Sequence, residues 1–481
     1  MFDHWPGEPF KPSDTDASRG LVYRLTNASR LENRAAALRL RAIVDLFELR
    51  RLEHGEREDW AVDTWASVGA EVAAALRLSL AKAKSYMNYA LAMLRLPAVA
   101  AVFESGDIDY RLFQTIVFRT HLVTDADTVA ELDAELAAQI ARWPSMTRGK
   151  LATKIDDLVL QRDPDAVRRI KDRGSDRDVT FWESSDGYIE LTARLSVVHG
   201  AALETRLNAF AKSACENDPR TVGQRRSDAL GALGAGLDRL PCDCGEPDCA
   251  ATEKPTGSVV IHVVAEQSTL DGTSNKPAYL LDSGEVLAPA QLAELKAMAR
   301  QRPVTIPVDT PAEPGYHPSR ALSDFVRARD LTCRAPGCDR PATRCDIDHT
   351  VPWPYGATEA SNLKSLCREH HILKTFWGWR DQQLPDGTLI WTLPDGETYV
   401  TTPGSVLLFP SLMTPTGPPA SLPPAVHRCG DRSVMMPKRR TTRRQNRAHQ
   451  IATERARNRA ERTPSAAGPA PPGSDDGAPP F

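Results

Sequence analysis

The nine residues CDIDHTVPW, from Cys345 to Trp353, place an aspartate directly before a histidine. We expect Asp348 and His349 to end a short strand, because Pro352 and Pro354 follow at once and cannot continue a strand ladder. A carboxylate can bind a divalent cation, and an imidazole with a pKa near neutrality can take up a proton. The pair is a candidate for metal-assisted proton transfer if suitable side chains surround it.

A zinc frame is predicted around this pair. Cys333 and Cys338 have four residues between them in the loop CRAPGCD, and Cys367 and His370 in NLKSLCREHHILK are three apart and share one helical face. These four ligands can close a tetrahedral Cys3His site with no open position, which is typical of structural zinc. The ion would tie the loop to the helix.

Two other uses of these residue types are less consistent with the spacing. A single C2H2 finger does not fit, because ten residues separate Cys338 from His349 and no second histidine follows at a gap of three to five. Cys345 is an additional thiol, which we assign to the buried core, with zinc ligation as the alternative.

The helix that carries His370 offers two further side chains. His371 points about 100° around the helix from His370 and is free to face a second site. Lys374 lies one turn further on the same side and either contacts a phosphate or is a solvated lysine.

The whole segment CRAPGCDRPATRCDIDHTVPWPYGATEASNLKSLCREHHILK resembles the HNH endonuclease motif in its ββα-metal (His-Me finger) fold, with Asp-His, then Asn362, then His371 inside the zinc frame. From about residue 28 to 405 the chain resembles the 13E12 repeat family, whose N-terminal region is domain of unknown function 222. The resemblance implies a DNA endonuclease in which Asn362 braces the loop that orients His349. The sequence departs from common HNH patterns in having only Gly356 where many members carry a glycine pair, and His370 where a cysteine is frequent.

The chemistry of phosphodiester cleavage assigns roles to these residues. Hydrolysis needs an activated water and neutralisation of the developing charge. Asp348 and His371 can hold one Mg²⁺ or Mn²⁺ ion, since an oxygen and an imidazole with remaining waters suit these metals. Because side chains alternate along a strand, His349 faces away from Asp348 and can act as general base without binding the metal.

A second cysteine group lies in PCDCGEPDCA, where Cys242, Cys244 and Cys249 fall within eight residues. Three thiols this close suit a zinc knuckle whose fourth ligand comes from elsewhere, and His262 is one candidate. The alternative is a loop of free thiols. In a reducing compartment clustered cysteines favour metal over disulfides.

The elements that position these groups follow from hydrophobic periodicity. Residues 1–27 are predicted to be a flexible N-terminus and 28–300 a mainly helical domain with a small α+β section, because apolar residues recur at three- and four-residue spacing. Within it, GAEVAAALRLSLAKAKSYMNYALAML reads as two helices with Ser79 as N-cap of the second. This outline fits a helix-turn-helix that reads DNA through Lys82, Lys84 and Tyr86, or a helical pair in an ordinary bundle.

A Pro-rich linker (301–318) leads into the predicted nuclease domain (319–403), followed by a disordered tail (404–481). Within the tail, residues 437–463 hold ten Lys/Arg against two Glu, although the whole chain has a net charge of −3. Such a cationic arm suggests DNA as partner through counterion release, or else a solvated tail. No secretion signal or spanning apolar run is visible, so we expect a cytoplasmic protein that meets the nucleoid when bound to DNA and uses no membrane.

These observations favour a metal-dependent endonuclease. The alternative is a DNA-binding or mobile-element-associated protein whose HNH module folds without cleaving. Intact Asp348, His349, Asn362 and His371 favour the enzyme. A zinc deaminase is excluded by residue order, because no His-x-Glu precedes a Pro-Cys-x-x-Cys.

Overall fold

The computed structural model describes residues 15–140, 142–143, 146–167, 178–183, 189–195, 197–246, 248–249, 262–296, 299–418 and 435–462. It divides the chain into two compact units. The N-terminal unit combines Met1–Arg169 with Asp431–Phe481, and the central unit is Ile170–Gly430. The division differs from the predicted one, because the predicted helical domain 28–300 contributes to both units and the linker 301–318 lies inside the central unit.

The N-terminal unit is a packed set of α-helices. Its helices are α1 (Asp16–His54), α2 (Thr64–Leu76), α3 (Leu80–Arg95), α4 (Pro97–Glu104), α5 (Tyr110–Thr120), α6 (Ala126–Ile140) and α7 (Arg148–Arg162), followed by a 3-10 turn at Pro164–Ala166. Helix α1 packs on α2, α3 and α4, α6 packs on α4 and α7, and α5 packs on α7. The predicted helical character of the N-terminal region is confirmed.

Short polar caps set the helix boundaries. The side chain of Asp63 accepts a hydrogen bond from the Ala66 amide at the start of α2, and Ser79 accepts one from the Lys82 amide at the start of α3. The predicted Ser79 cap is therefore confirmed. Judged by length and hydropathy, no single helix in the described part of the chain could cross a membrane, and only α3 with α4 passes as a pair, bent by 112°.

The first half of the central unit contains small sheets and helices. Strand β1 (Val179–Glu183) pairs antiparallel with β2 (Ile189–Ala193), and helices α8 (Val197–Ser213) and α9 (Val222–Gly234) pack together. Strands β3 (Val263–Val264), β4 (Ala278–Leu280) and β5 (Val286–Leu287) form a second sheet beside α10 (Gln267–Leu270) and α11 (Pro289–Lys296). Residues 184–188, between β1 and β2, and residues 250–261, before β3, lie outside the described part of the chain.

The second half carries the motif residues. Helix α12 (Arg320–Asp330) precedes β6 (Cys345–His349), β7 (Leu363–Cys367) and α13 (Arg368–Phe376), and β8 (Arg380–Gln383), β9 (Leu389–Thr392) and β10 (Thr398–Thr401) form an antiparallel sheet. Strands β6 and β7 are antiparallel neighbours, and α13 packs on both. The core contains Phe325, Leu363 and Phe409, with Trp379 and Trp391 fully buried under the sheet side chains.

The predicted disordered tail begins as ordered structure. Residues 404–418 continue the central unit through 3-10 turns at Gly404–Val406 and Pro410–Met413. Phe409 and Leu412 are buried in the same core as α12. These two apolar side chains explain why the segment packs, since they supply the buried surface that the proline-rich composition concealed.

The basic stretch departs further from the predicted disorder of residues 404–481. Residues 443–462 form helix α14 (Arg443–Arg462), which packs within the N-terminal unit against the 3-10 turn at Pro164–Ala166. Arg439 and Arg443 donate to Asp63, whose side chain is buried, and Arg443 lies 3.8 Å above the ring of Trp65. The helix has few apolar residues, Ile451 and four alanines, and its arginines pair with acidic side chains of the same unit. Residues 463–481 lie outside the described part of the chain.

Candidate functional site

The β6–β7 hairpin and α13 bring the motif residues to one place. The strand register pairs Asp348 with Lys364, His349 with Leu363 and Cys345 with Cys367. Helix α13 begins directly after β7, so a cysteine at the strand end and a histidine in the first helical turn point to the same side. This compact ββα arrangement holds the strand, the loop and the helix together over a short stretch of chain.

The four residues of the predicted zinc frame meet in the interior. The ligand atoms of Cys333, Cys338, Cys367 and His370 all lie within 4.8 Å of one another. Nδ1 of His370 is 3.2 Å from Sγ of Cys367 and 3.6 Å from Sγ of Cys333. Tetrahedral zinc with bonds of about 2.0–2.3 Å requires ligand atoms about 3.5–3.8 Å apart, so the cluster could hold a zinc ion.

Cys345 does not join this cluster of ligand atoms. It is buried, and its thiol donates to the carbonyl of Pro341 at 3.4 Å. The interpretation of Cys345 as a core residue agrees with this position.

Burial raises the pKa of Cys333 well above its usual value, so the thiol stays protonated until a metal replaces its proton.

His349 is held by a chain of two hydrogen bonds. Its Nε2 lies 2.9 Å from Oγ1 of Thr358, and that hydroxyl donates to the carbonyl of Gly315 at 2.6 Å. Since the one hydroxyl proton of Thr358 is used on Gly315, Nε2 of His349 must be the donor, and the basic lone pair is on Nδ1. The ring of Tyr316 stacks on the imidazole with centroids 5.2 Å apart.

The environment keeps the His349 ring neutral. Burial lowers the pKa of His349 to about 4, an effect that Asp348 partly opposes and that the nearby Lys364 and Lys374 ammonium groups reinforce. An imidazole with this pKa is unprotonated at pH 7 and can accept a proton, but it is a weaker base than the near-neutral imidazole expected from the sequence.

Asn362 ties down the loop that follows His349. It is fully buried, its Oδ1 accepts from the Val351 amide at 2.8 Å, and its Nδ2 donates to the carbonyls of Val351 and Ala357 at 3.0 and 2.8 Å. A Cβ on Gly356 would lie 2.6 Å from Nδ2 of Asn362 and 2.3 Å from the Val351 carbonyl. Glycine is therefore required there, and a single glycine suffices for this loop.

Asp348 and His371 are in contact. Oδ1 of Asp348 is 3.3 Å from Nε2 of His371, and Nδ1 of His371 is 3.0 Å from Oδ2 of Asp346. Asp346 thus fixes the ring of His371 from the other side, as carboxylates commonly do for metal-binding histidines. The structure brings His371 beside Asp348, and its contact with Asp346 is an addition that the sequence did not indicate.

Two buried lysines form ion pairs with the other carboxylate oxygen of Asp348. Nζ of Lys364 and of Lys374 lie 2.8 and 2.7 Å from Oδ2, and Lys364 also lies 2.6 Å from Asp381. Burial alone would raise the pKa of Asp348, but Lys364, Lys374 and His371 together hold it well below its usual range. Lys374 therefore does not have the position expected for a phosphate contact, because its ammonium group is buried on Asp348.

The second cysteine group also comes together, with a different fourth member. Cys242, Cys244 and Cys249 are joined by Cys215, and their sulfur atoms all lie within 4.8 Å of one another. His262, the candidate suggested by the sequence, is placed elsewhere: its ring and its amide contact the carboxylate of Asp282. The two clusters are the groups of this kind in the described part of the chain.

The predicted helix-turn-helix residues have mixed environments. Lys82 is exposed, and its Nζ lies 5.3 Å above the ring of Tyr86. Tyr86 packs edge-on against Tyr110 and lies under Arg39. Lys84 lines a cavity of about 940 Å³ in the N-terminal unit. Tyr86 thus contributes to packing, and Lys82 is the exposed one of the three.

Comparison with known proteins places the chain in a family. Residues 27–330 match Domain of unknown function (DUF222), and the chain belongs to this family. It is 43% identical to Uncharacterized protein Rv2100 of Mycobacterium tuberculosis (strain ATCC 25618 / H37Rv), over 93% of this chain and 90% of the relative. It is also 43% identical to Uncharacterized protein Rv3776 of the same strain, over 95% and 93% of the two chains. No solved structure gave a significant match.

A shorter relative matches part of the chain. "Uncharacterized protein in est 3'region" of Mycobacterium tuberculosis is 37% identical over 68% of this chain and 100% of its own length. None of these three names states an activity, so the family assignment leaves the chemistry to be argued from the site.

Proposed function

We propose that this protein is a metal-dependent HNH endonuclease that hydrolyses phosphodiester bonds of DNA. One observation carries the proposal: a neutral, buried His349 with Nε2 committed to Thr358 lies next to an Asp348–His371 pair. The HNH motif requires a general base and two metal ligands, held by a hairpin and a helix beside a zinc cluster. His349, Asp348 and His371 fit these roles.

His349 is the general base. Because Nε2–H of His349 donates a hydrogen bond to Thr358, Nδ1 is the atom that accepts a proton from the attacking water. Asn362 supports this role indirectly, since its three hydrogen bonds fix the loop between His349 and Thr358. Thr358 and Asn362 are thus positioning residues.

Asp348 and His371 are the ligands of the divalent ion. In an octahedral Mg²⁺ site with bonds of about 2.1 Å, neighbouring ligand atoms lie about 3 Å apart. The 3.3 Å between Oδ1 of Asp348 and Nε2 of His371 fits two such positions. The lysines hold the other oxygen, so Oδ1 remains for the metal. Bound there, Mg²⁺ or Mn²⁺ would supply charge neutralisation for the phosphate and the leaving oxygen.

Zinc at Cys333, Cys338, Cys367 and His370 has a structural role in this proposal. All four positions of a tetrahedral ion are taken by protein, so the site has no place for substrate. The ion joins the loop before β6 to the start of α13 and so fixes His371 relative to Asp348.

DNA as substrate is supported by the surface beside His349. Trp353 and Tyr355, 46% and 61% exposed, lie in the loop after β6 and offer aromatic faces on which unpaired bases can stack. Arg368, at the start of α13, has an exposed side chain that can contact a phosphate.

A second function is DNA binding without cleavage. It is favoured by the ion pairs of Asp348 with Lys364 and Lys374, because these cations already neutralise the carboxylate and reduce its need for a metal. In that case the module folds and binds, and the Asp348–His371 pair is a structural contact.

Incubation of the full-length protein with supercoiled plasmid in Mg²⁺, Mn²⁺ or EDTA tests the proposal. We expect nicking or linearisation that requires metal, and a loss of about 10²–10⁴-fold in the His349→Ala variant with zinc content unchanged. His262→Ala, which removes an exposed histidine outside the module, is the matched control and should cleave normally. DNA binding with no cleavage in any metal would establish the second function, and wild-type cleavage by His349→Ala would refute the catalytic assignment.

A further inference from the structure

A group of four cysteine sulfurs lies in the first half of the central unit, at the end of the α8–α9 helix pair. Cys215 follows α8 two residues after its end, and Cys242, Cys244 and Cys249 follow α9. The sulfur atoms lie within 4.8 Å of one another, and those of Cys215 and Cys242 are 3.4 Å apart. A disulfide requires about 2.05 Å, so these are neighbouring thiols.

We propose that Cys215, Cys242, Cys244 and Cys249 bind a structural zinc ion that is separate from the one in the HNH module. Tetrahedral zinc with four sulfur bonds of about 2.3 Å places the sulfurs about 3.8 Å apart, close to the spacing observed. Four thiolates fill the coordination sphere, so the site has no open position and is not catalytic. This assignment does not depend on endonuclease activity.

The backbone around the cluster is already held in place by other contacts. The buried carboxylate of Asp218 accepts hydrogen bonds from the Arg220 guanidinium at 2.7 and 3.0 Å and from the Asp243 amide at 3.0 Å. Arg220 also donates to the carbonyl of Pro241 at 2.7 Å. These bonds join the turn after Cys215 to the loop that carries Cys242, so the two halves of the site approach each other without the metal's help.

The geometry of the loop places Cys244 and Cys249 near the other two cysteines. Gly245 has φ +75°, a conformation that non-glycine residues rarely adopt, and it turns the chain between Cys244 and Cys249. The amide of Leu240 donates to Oγ of Ser213 at 3.0 Å, which fixes the start of the loop to the end of α8.

The helix pair needs such a cross-link. Its hydrophobic cluster has one large side chain, Phe210, and is otherwise built from Leu207, Ala214, Ala229, Ala232, Leu240 and Cys242. A core of this size gives little stability by itself, and small folding units commonly add a metal to compensate. Zinc here would tie the segment that follows α9 to the end of α8.

The test measures zinc per chain in full-length protein purified without chelator. We expect Cys215→Ser and Cys244→Ser each to contain one zinc fewer than the wild type, and Cys345→Ser, a buried thiol outside both clusters, to contain the wild-type amount. Cys367→Ser should lose the other ion, so Cys215→Ser with Cys367→Ser should lose two. Wild-type zinc content in Cys215→Ser would overturn the proposal.

A second measurement keeps the test valid if a serine variant fails to fold. The wild-type protein is treated with a thiol-alkylating reagent before and after zinc removal by a strong chelator, and modified cysteines are mapped by mass spectrometry. Protection of all four cysteines that disappears with the zinc supports the site. Equal modification in both states, or a Cys215–Cys242 disulfide in the untreated protein, contradicts it.

Discussion

Lys364 stands directly opposite Asp348 in the β6–β7 ladder, and its ammonium group bridges Asp348 and Asp381 at 2.8 and 2.6 Å. The lysine has no solvent exposure, so its charge is neutralised entirely by protein. The hairpin therefore contains a buried salt bridge next to the contact of Asp348 with His371. Removing one partner of such a pair leaves a buried charge without compensation.

We predict that Lys364→Met lowers the free energy of unfolding by about 3–5 kcal/mol, because Asp348 and Asp381 lose one of their two shared cations and keep only Lys374. Urea unfolding monitored by tryptophan fluorescence measures this change. Lys276→Met is the control, since Lys276 pairs with Glu266 at an exposed position and should cost less than about 1 kcal/mol. Equal losses in the two variants would contradict the buried-bridge interpretation.

The pKa of His349 provides a pH-dependent prediction. Burial lowers this pKa to about 4 in the folded protein, whereas an unfolded histidine titrates near 6.5. Between pH 4 and 6.5 the histidine is protonated in the unfolded state and unprotonated in the folded state. Stability from His349 is thus complete above about pH 6.5 and decreases as the pH falls toward 4.

NMR titration of the histidine Cε1–H signals checks this value, with the signal absent from His349→Ala assigned to His349. We expect its midpoint near pH 4. The loss of stability between pH 6.5 and 4 should also be smaller in His349→Ala than in the wild type. A midpoint at 6.5 would mean that the ring is hydrated and not held as described.

Asn362 supplies a third prediction. Asn362→Ala leaves the Val351 amide without its acceptor and the Val351 and Ala357 carbonyls without their donor, at about 1–3 kcal/mol for each group that stays buried. We expect lower stability than in the wild type. We also expect weaker cleavage, even at temperatures where the variant is folded. Asn362→Asp keeps the acceptor oxygen but places a second oxygen against the Val351 and Ala357 carbonyls, so it should be no more stable than Asn362→Ala in thermal melting.

Truncation after residue 434 is the fourth prediction. It removes Arg439 and Arg443 from the buried carboxylate of Asp63 and should destabilise the N-terminal unit by about 3–5 kcal/mol. Far-ultraviolet circular dichroism during heating follows the helices of this unit. Truncation that removes only 464–481 should leave the melting temperature unchanged. If both truncations behave alike, the contacts of α14 contribute nothing to stability.

The sequence predicts well where residue type and short spacing determine the geometry. The Cys3His frame and the Ser79 cap depend on ligands or donors a few residues apart, and both appear as expected. Lys364 was not identified, because its contact with Asp348 depends on strand register and on Asp381 from β8. Cys215 was missed for a similar reason, since it lies 27 residues before Cys242 and meets it only through the packing of α8 on α9.

The prediction of a disordered basic tail was wrong for 443–462 for a different physical reason. Low hydrophobicity correctly indicated that the segment cannot form a core of its own. It did not reveal that Asp63 and Asp165, in distant parts of the sequence, pair with three of its arginines, Arg443, Arg459 and Arg462, and with Arg439 just before it.

The pairing of Asp63 with Arg443 has a consequence for synthesis on the ribosome. The two residues are 380 positions apart in the chain. At about 5–20 residues per second, the arginine emerges roughly 20–80 s after the aspartate. During that interval Asp63 has the Ala66 amide as a partner but neither arginine, while the whole central unit is being made. The N-terminal unit therefore reaches its final state last, although most of it is translated first.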